Sequence, residues 1–128
     1  MVVDTSALLA VLFGENEAES LAMASAPRLL ISACSRLETT LVAEGQRFGA
    51  STEAVDALIA ALEMRVVAFG PEHLEWALRG WRRYGKGRHP AGLNLGDCFS
   101  YALAMATGEP LLFKGDDFTR TDVPRARQ

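Results

Sequence analysis

Four short apolar runs alternate with helical segments along this chain, and the alternation limits the possible folds more than any other feature. We predict strands at residues 1–3, 29–32, 64–69 and 111–113. Successive strands are separated by far more residues than a hairpin needs, and parallel strands require long crossovers that are usually helical. Such crossovers are right-handed in nearly all proteins. The chain is therefore predicted to fold as a three-layer α/β/α sandwich with a parallel sheet of four or five strands.

Capping residues and helix-stopping residues mark the segments between these strands. We predict helices at residues 5–13, 16–24 and 33–48, a fourth capped by Ser51, a fifth that carries Leu74 and Trp81, and a sixth at residues 95–107. Residues 84–94 are rich in Gly and Pro, which predicts a loop. The tail after Phe118 is polar and is expected to be loosely ordered.

Length and composition limit the class of protein. The length of 128 residues fits one domain. With 49% apolar and 23% charged residues, the chain is typical of a globular protein, and disordered, collagen-like and disulfide-dense classes are excluded. No apolar stretch approaches the ~20 residues of a membrane span, and no signal peptide is recognised, so we expect a cytoplasmic protein without membrane contact. Cys34 and Cys98 are isolated thiols, expected to be small buried side chains.

Five carboxylates are placed by this fold at one edge of the sheet. Asp4 follows the first strand directly, and Asp116 and Asp117 follow the fourth. Glu38 lies early in the helix after the second strand, and Asp97 lies in the first turn of the helix that leads into the fourth. Right-handed crossovers begin each helix at the carboxyl edge of the sheet, where ligands bind in open α/β folds. We therefore expect these acids to converge.

Each acid also has a purely structural interpretation. Asp4 could be the N-cap of the first helix, and Asp97 could be favoured by its position at a helix N-terminus. Glu38 could form a capping box with Ser35, unless Ser32 is the cap of that helix. Asp116 and Asp117 could be turn residues. Two carboxylates about 4 Å apart repel by on the order of 4 kcal/mol at an effective dielectric constant near 20, so a cluster of them needs compensation. A divalent cation supplies it, and oxygen ligands without His or Cys suit Mg²⁺ or Mn²⁺. Because His73 and His89 lie away from this edge, we expect no zinc site.

The formal net charge is only −3, but the positive charges are clustered. Residues 79–89 contain no acid, and they contain Trp81 and Tyr84 among five cations. A metal site built from carboxylates commonly takes phosphate oxygens as further ligands, which indicates phosphodiester hydrolysis. The residues expected to contact the phosphates of a nucleic acid are Arg82, Arg83, Lys86 and Arg88. The alternative is a solvated polar loop with Trp81 packed in the core.

Four blocks of sequence occur in an order and spacing typical of a known family. They are Val-Val-Asp-Thr-Ser-Ala-Leu at residues 2–8, Ile-Ser-Ala and Arg-Leu-Glu within residues 31–38, Leu-Gly-Asp-Cys-Phe-Ser-Tyr-Ala-Leu-Ala at residues 95–104, and Pro-Leu-Leu-Phe-Lys-Gly-Asp-Asp-Phe at residues 110–118. The set resembles the PIN-domain ribonucleases and, within them, the VapC toxins of bacterial VapBC toxin-antitoxin systems. The resemblance covers essentially the whole chain.

This resemblance implies a Mg²⁺- or Mn²⁺-dependent endoribonuclease that forms a homodimer and is inhibited by a VapB-type antitoxin. It assigns catalysis and metal binding to Asp4, Glu38, Asp97 and a fourth acid in Gly-Asp-Asp-Phe. Asp117 is favoured as that fourth acid, and Asp116 stays open as a catalytic alternative. Thr5 or Ser6 matches a hydroxyl that, in the family, orients the acids or the substrate.

Other classes of protein fit the sequence less well. A receiver-type signalling domain needs an acidic pair after its first strand, and a dehalogenase-type phosphatase needs a second Asp at position 6, which is Ser. The alternative of another class is a non-catalytic RNA-binding module, in which the acids have no chemical role. Because every acid of the set is present, we favour the enzyme.

Overall fold

Strands and helices alternate along the chain as the sequence predicts. The computed structural model describes residues 1–45 and 48–126. Within them the strands are β1 (Val2–Val3), β2 (Leu30–Ser32), β3 (Arg65–Val67) and β4 (Leu111–Leu112). The helices are α1 (Thr5–Leu12), α2 (Ala18–Ser25), α3 (Ala33–Glu44), α4 (Thr52–Ala61), α5 (Pro71–Tyr84) and α6 (Leu95–Thr107).

The four strands form one parallel sheet in the order β3-β2-β1-β4. Val2 pairs with Leu30 on one side and with Leu111 on the other, so β1 is central. The chain first builds the sheet outward from β1 to β2 and β3, and then crosses back to add β4 on the opposite side of β1. The order therefore reverses at the carboxyl end of β1, and this is the position where ligands bind in open α/β sheets.

Helices cover both faces of the sheet. Neighbouring residues of a strand point to opposite faces, and because these strands are apolar throughout, both faces have to be buried. Val2 packs with Leu103 and other residues on the side of α5 and α6. Val3 packs with Leu8 and Met23 on the side of α1, α2 and α4. The predicted three-layer α/β/α sandwich with a four-stranded parallel sheet is confirmed. Among the described helices none is long and apolar enough to cross a membrane.

Two expected boundaries differ from the structure. Helix α3 ends at Glu44 instead of near Phe48, because Gly45 departs from helical geometry after it. Residues 46–47, which belong to the predicted helix, lie outside the described residues, and Phe48 lies in a turn and stacks on Phe13 at 4.7 Å between ring centroids. Strand β3 is shorter than residues 64–69, because it pairs only with β2 at the edge of the sheet.

The expectation of a loosely ordered tail after Phe118 is wrong for residues 119–126. The Leu111 N–H donates to the Pro124 carbonyl at 2.8 Å, and the Ala126 N–H donates to the Leu111 carbonyl at 2.9 Å. Val123 is buried in the core. The tail therefore lies along β4 and covers what would otherwise be an open edge of the sheet.

Of the two cysteines, Cys98 is buried as predicted, whereas Cys34 is only partly buried. Trp81, for which a core position was the alternative, is 40% exposed, and the Arg88 guanidinium lies 4.0 Å from its ring centroid.

Candidate active site

Asp4 lies at the reversal of strand order, immediately after β1, and is almost completely buried. Its Oδ1 accepts a hydrogen bond from Ser100 Oγ at 2.5 Å. Its Oδ2 accepts from Ser6 Oγ at 2.6 Å and from the Ser6 N–H at 3.0 Å. Burial raises the pKa of Asp4 above its ordinary value, the hydrogen bonds partly oppose this, and the charge of Asp117 adds to it. Asp4 thus caps α1, as the structural alternative proposed, and it also faces other acids.

Glu38 reaches the same site from the second turn of α3. Its Oε1 accepts a hydrogen bond from Thr5 Oγ1 at 2.7 Å. The pKa of Glu38 is raised by burial and by the charge of Asp4. Ser32 is the N-cap of α3, since its hydroxyl accepts from the Cys34 N–H, and the capping box of Ser35 with Glu38 is not formed. The capping role is therefore excluded for Glu38.

Gly96 makes room for the Glu38 carboxylate at the beginning of α6. A Cβ atom added at Gly96 would lie 1.8 Å from Glu38 Oε2 and 2.6 Å from Glu38 Cδ. A side chain at position 96 would displace the Glu38 carboxylate, which is the mobile end of a long side chain. The glycine before Asp97 therefore allows the Glu38 carboxylate its present position against α6.

Asp97 is held at the N-terminus of α6 by a capping box. Asp97 Oδ2 accepts from the Asn94 N–H at 3.1 Å, and Asn94 Oδ1 accepts from the Asp97 N–H at 2.9 Å. The pKa of Asp97 is raised to about 7, chiefly by burial and in addition by the charges of Asp4 and Asp117, while the Asn94 hydrogen bond opposes the rise. The neighbouring Cys98 thiol has its pKa raised to about 11 by burial and by the charge of Asp97, so it stays protonated.

Asp117, rather than Asp116, is the acid that the loop after β4 brings to the cluster. The charge of Asp117 raises the pKa of both Asp4 and Asp97. Among the described residues, Asp116 makes no such contribution to any of the three buried acids. Both residues line a cleft of about 490 Å³ together with Pro90, Ala91, Thr119 and Arg120, which we call the acid cleft after these two acids; Asp4, Glu38 and Asp97 do not line it.

Asp4, Glu38, Asp97 and Asp117 therefore share one site, and the pKa values of the first three are raised by burial and by repulsion from other acids of the set. In the present side-chain conformations, no three acid, His or Cys residues of the described chain are arranged to ligate one ion. Mg²⁺ commonly takes only one or two carboxylates and keeps several waters. Because the donors are all hard oxygens that repel one another, this set fits a hard divalent cation.

The predicted hydroxyl residues contact the acids themselves. Thr5 is buried and donates to Glu38, and Ser6 donates to Asp4 while accepting from the Lys114 N–H at 3.0 Å. Both orient the cluster. A role in touching the substrate is not indicated by these contacts.

The predicted cationic residues divide between two surfaces. Lys86 and Arg88 belong to the loop of residues 85–94, whose Pro90 and Ala91 line the acid cleft. Arg82 and Arg83 line a separate cleft of about 370 Å³ with Asp122, and Arg83 Nη1 lies 3.5 Å from Asp122 Oδ2. Lys86 and Arg88 thus share a loop with two residues of the acid cleft, whereas Arg82 and Arg83 line the other cleft.

Sequence reasoning missed Ser100, Gly96 and Arg120. Ser100 follows Asp97 by three positions on a helix without other charges, a spacing that places both on one face. That spacing is a usable signal for Ser100. Arg120 gives no such signal, because its place beside the acid cleft depends on the path of the tail.

Comparisons with known proteins identify the family of this chain. The PIN domain family matches residues 1–124. The chain is 49% identical over 126 residues to Ribonuclease VapC from Mycolicibacterium smegmatis, covering 96% of this chain and 97% of that protein. It is 48% identical over 126 residues to Ribonuclease VapC30 from Mycobacterium tuberculosis, covering 96% of this chain and 95% of that one.

Two solved structures share the fold. The crystal structure of Mycobacterium tuberculosis VapC20, described as a Sarcin-Ricin loop cleaving toxin, superposes with a TM-score of 0.76 at 21% identity, covering 99% of this chain and 98% of that chain. A toxin-antitoxin complex from Klebsiella pneumoniae has a TM-score of 0.69 at 20% identity, covering 94% of this chain and 92% of that chain. At these identities the likeness concerns the fold.

Proposed function

This chain belongs to the PIN-domain family, as a ribonuclease of the VapC type, and we propose that its four converging carboxylates bind a divalent cation and cleave RNA there. It is an endoribonuclease and the toxin of a toxin-antitoxin pair. The observation that carries the proposed site is the convergence of Asp4, Glu38, Asp97 and Asp117 where the strand order reverses, with the pKa values of three of them raised. Perturbed pKa values of this kind are typical of functional sites.

Asp4 and Asp97 would hold Mg²⁺ or Mn²⁺, with Glu38 and Asp117 completing the ligand set directly or through water. When bound, the ion supplies Lewis-acid polarisation of the phosphate and a more acidic water. The cation and the protons compete for the same oxygens, because burial and repulsion hold the pKa of Asp97 at about 7. Hydroxyls of Ser6, Ser100 and Thr5 fix the carboxylates in place, which reduces the reorganisation required during reaction.

The substrate strand would lie across the acid cleft. Lys86 and Arg88 on the neighbouring loop would contact its phosphates, with Arg82 and Arg83 serving an adjacent stretch. Trp81 is partly exposed, but Arg88 covers its ring, so a base would have to displace that guanidinium in order to stack on it.

The partners proposed are RNA, a VapB-type antitoxin and a second copy of this chain. Exposed apolar side chains support contacts with protein partners, among them Leu37 and Leu41 on α3 and Leu74 on α5, each at least half exposed. A toxin that cleaves cellular RNA acts in the cytoplasm, and that is the location we propose. Light scattering should give about twice the chain mass of 13.8 kDa, and a mass of one chain at micromolar concentration contradicts the homodimer.

The proposed function is tested by incubating the purified chain with mixed RNAs in Mg²⁺ or Mn²⁺. We expect cleavage that EDTA and Asp97→Asn abolish, and that Asp56→Asn, at an exposed position of α4, leaves unchanged. Asp117→Asn should lower the rate far more than Asp116→Asn, and the reverse order would reassign the fourth acid. Binding of RNA without cleavage would instead favour the non-catalytic module.

A further inference from the structure

A group of four buried hydroxyls joins α1, α3 and α6 beside the carboxylates. Ser35 and Thr39 on α3 are completely buried, and Thr5 on α1 and Ser100 on α6 are nearly so. We call these four residues the hydroxyl cluster. Thr5 and Ser100 each donate a hydrogen bond to an acid of the site. Ser35 and Thr39 lie one step further from the acids, and the reaction described above does not use them.

The Thr5 hydroxyl has two acceptors within reach. Glu38 Oε1 lies 2.7 Å from Thr5 Oγ1, and the Ser35 carbonyl oxygen lies 3.2 Å from it. Because a hydroxyl donates only one hydrogen bond, the two acceptors compete for its proton. Within the described part of the chain, Thr5 is the only hydrogen-bond donor to Glu38. The position of the Glu38 carboxylate therefore depends on the direction in which the Thr5 hydroxyl points.

Thr39 occupies the acceptor that competes with Glu38. Its Oγ1 lies 2.8 Å from the Ser35 carbonyl oxygen and 3.2 Å from Thr5 Oγ1. In a helix the same carbonyl also accepts from the N–H four residues later, which is the N–H of Thr39. A carbonyl oxygen has two lone pairs, so these two bonds fill it. The Thr5 hydroxyl is then left with Glu38 as its acceptor.

Ser35 connects this arrangement to the second acid. Its Oγ lies 3.3 Å from Ser100 Oγ, and Ser100 Oγ donates to Asp4 Oδ1 at 2.5 Å. The carbonyl and the hydroxyl of one α3 residue therefore contact the hydroxyls that serve two different acids. Buried polar groups are nearly always paired, and the members of the hydroxyl cluster are paired with one another.

We propose that Thr39 is a positioning residue for RNA cleavage, which directs the Thr5 hydroxyl to Glu38 by occupying the Ser35 carbonyl; the proposal rests on the ribonuclease function proposed above. Thr39 is completely buried, so it acts through Thr5 and does not touch the substrate. A bond from a threonine hydroxyl to the carbonyl four residues earlier also occurs in helices where it has no function. Removal of the hydroxyl distinguishes the two roles.

The first test compares RNA cleavage by three variants of α3. Thr39→Val removes the hydroxyl but retains the branched shape, and kcat should fall about tenfold, the lower end of the effect that partners of metal ligands have. KM for RNA should stay unchanged, because Thr39 does not contact the substrate. Thr39→Ser retains the hydroxyl and should recover most of the rate. Thr40→Val is the control, since the Thr40 hydroxyl accepts from Arg36 instead, and its kcat should equal that of the wild-type protein.

The second test asks whether Thr39 acts through Thr5. In Thr5→Val the Glu38 carboxylate has already lost its donor, so adding Thr39→Val should lower kcat no further. Binding of Mn²⁺ without RNA, measured from the electron paramagnetic resonance signal of the free ion, supplies a readout that is independent of cleavage. The affinity should be about tenfold weaker in Thr39→Val and unchanged in Thr40→Val.

Wild-type kcat and wild-type Mn²⁺ affinity in Thr39→Val would overturn the proposal. A loss that Thr39→Ser does not recover, or an equal fractional loss with and without the Thr5 hydroxyl, would overturn it too. If Thr39→Val does not fold, Thr39→Ala replaces it, and an unchanged Mn²⁺ affinity in that variant is the contradicting result. If the wild-type protein and Asp97→Asn are equally inactive on every RNA, the proposed function itself fails, whereas an active wild-type protein with an equally active Thr39→Val refutes only the role of Thr39.

Discussion

Replacing Asp97 by asparagine should stabilise the metal-free protein at alkaline pH, although it should abolish activity. The side chains have almost the same shape, and asparagine retains an oxygen that accepts from the Asn94 N–H. What the substitution removes is a negative charge that is buried beside Asp4 and Asp117. An active site built from repelling groups is maintained at a cost to stability.

The magnitude follows from the pKa of Asp97, which is raised from 3.8 to about 7. Each pKa unit corresponds to about 1.4 kcal/mol, which gives an upper bound of about 4 kcal/mol. Because Asp97 shares its repulsion with two other acids that adjust their own protonation, we expect about 1–2 kcal/mol. For a domain of this size that corresponds to an increase in Tm of roughly 3–10 °C.

The sign of the pH dependence is fixed by linkage. Between pH 4 and pH 7 the folded state binds the Asp97 proton and the unfolded state has released it, so the free energy of unfolding falls as pH rises through this window. The penalty is complete above about pH 7. The advantage of Asp97→Asn should therefore be large at pH 8 and mostly absent near pH 4.

Urea denaturation in EDTA at both pH values measures this difference, with Glu75→Gln, at an exposed position of α5, as the control for loss of a surface acid. Adding Mg²⁺ at pH 8 should stabilise the wild-type protein by mass action and narrow the gap to Asp97→Asn. The reasoning would be refuted if Asp97→Asn were less stable than the wild-type protein at pH 8. It would also be refuted if the variant's gain in free energy of unfolding were the same at both pH values.

Three further predictions concern the surroundings of the acids. Gly96→Ala should displace the Glu38 carboxylate and lower kcat at least about tenfold. Its stability should change little, because only the flexible end of Glu38 has to move and alanine favours the helix. RNA cleavage and urea denaturation measure the two effects, and wild-type kcat would contradict the prediction. Ser100→Ala should weaken the metal affinity by about 10- to 100-fold in a Mn²⁺ titration, with partial recovery in Ser100→Thr. Replacing Lys86 and Arg88 by Ala should reduce the salt dependence of RNA binding by about 0.7 in log-log slope for each phosphate that the variant no longer neutralises, and an unchanged slope places the strand elsewhere.

Much of the fold can be predicted from local sequence, because the apolar periodicity of a strand or a helix is visible within a short segment. The position of the site can also be predicted. Right-handed crossovers place the end of β1 and the beginnings of α3 and α6 at the same edge of the sheet, whatever the loop conformations are. This is why Asp4, Glu38 and Asp97 are found from the sequence.

Features that depend on long-range packing are not found in this way. The pairing of the tail with Leu111 is made by an irregular segment containing Pro124, which has no strand pattern of its own. The space that Gly96 leaves for Glu38 and the contact of Thr39 with Thr5 depend on distances between separate elements. Such distances have no counterpart in the periodicity of a single segment.

The choice between Asp116 and Asp117 lies between these cases. The dipeptide places one acid at the site and one in the turn, but local pattern alone gives either residue nearly the same distance from β4. The charge of Asp117 acting on Asp4 and Asp97 distinguishes them in the folded protein.

The most direct measurement is the anomalous scattering of crystals of this protein grown with millimolar Mn²⁺. A manganese peak within ligand distance of the Asp4 and Asp97 carboxylates, and absent from Asp97→Asn crystals, is the result we expect. The contradicting result is a fully occupied manganese elsewhere, with the Asp4 and Asp97 carboxylates hydrogen-bonded to each other or to Asp117. That result would show that the acids share a proton and need no cation.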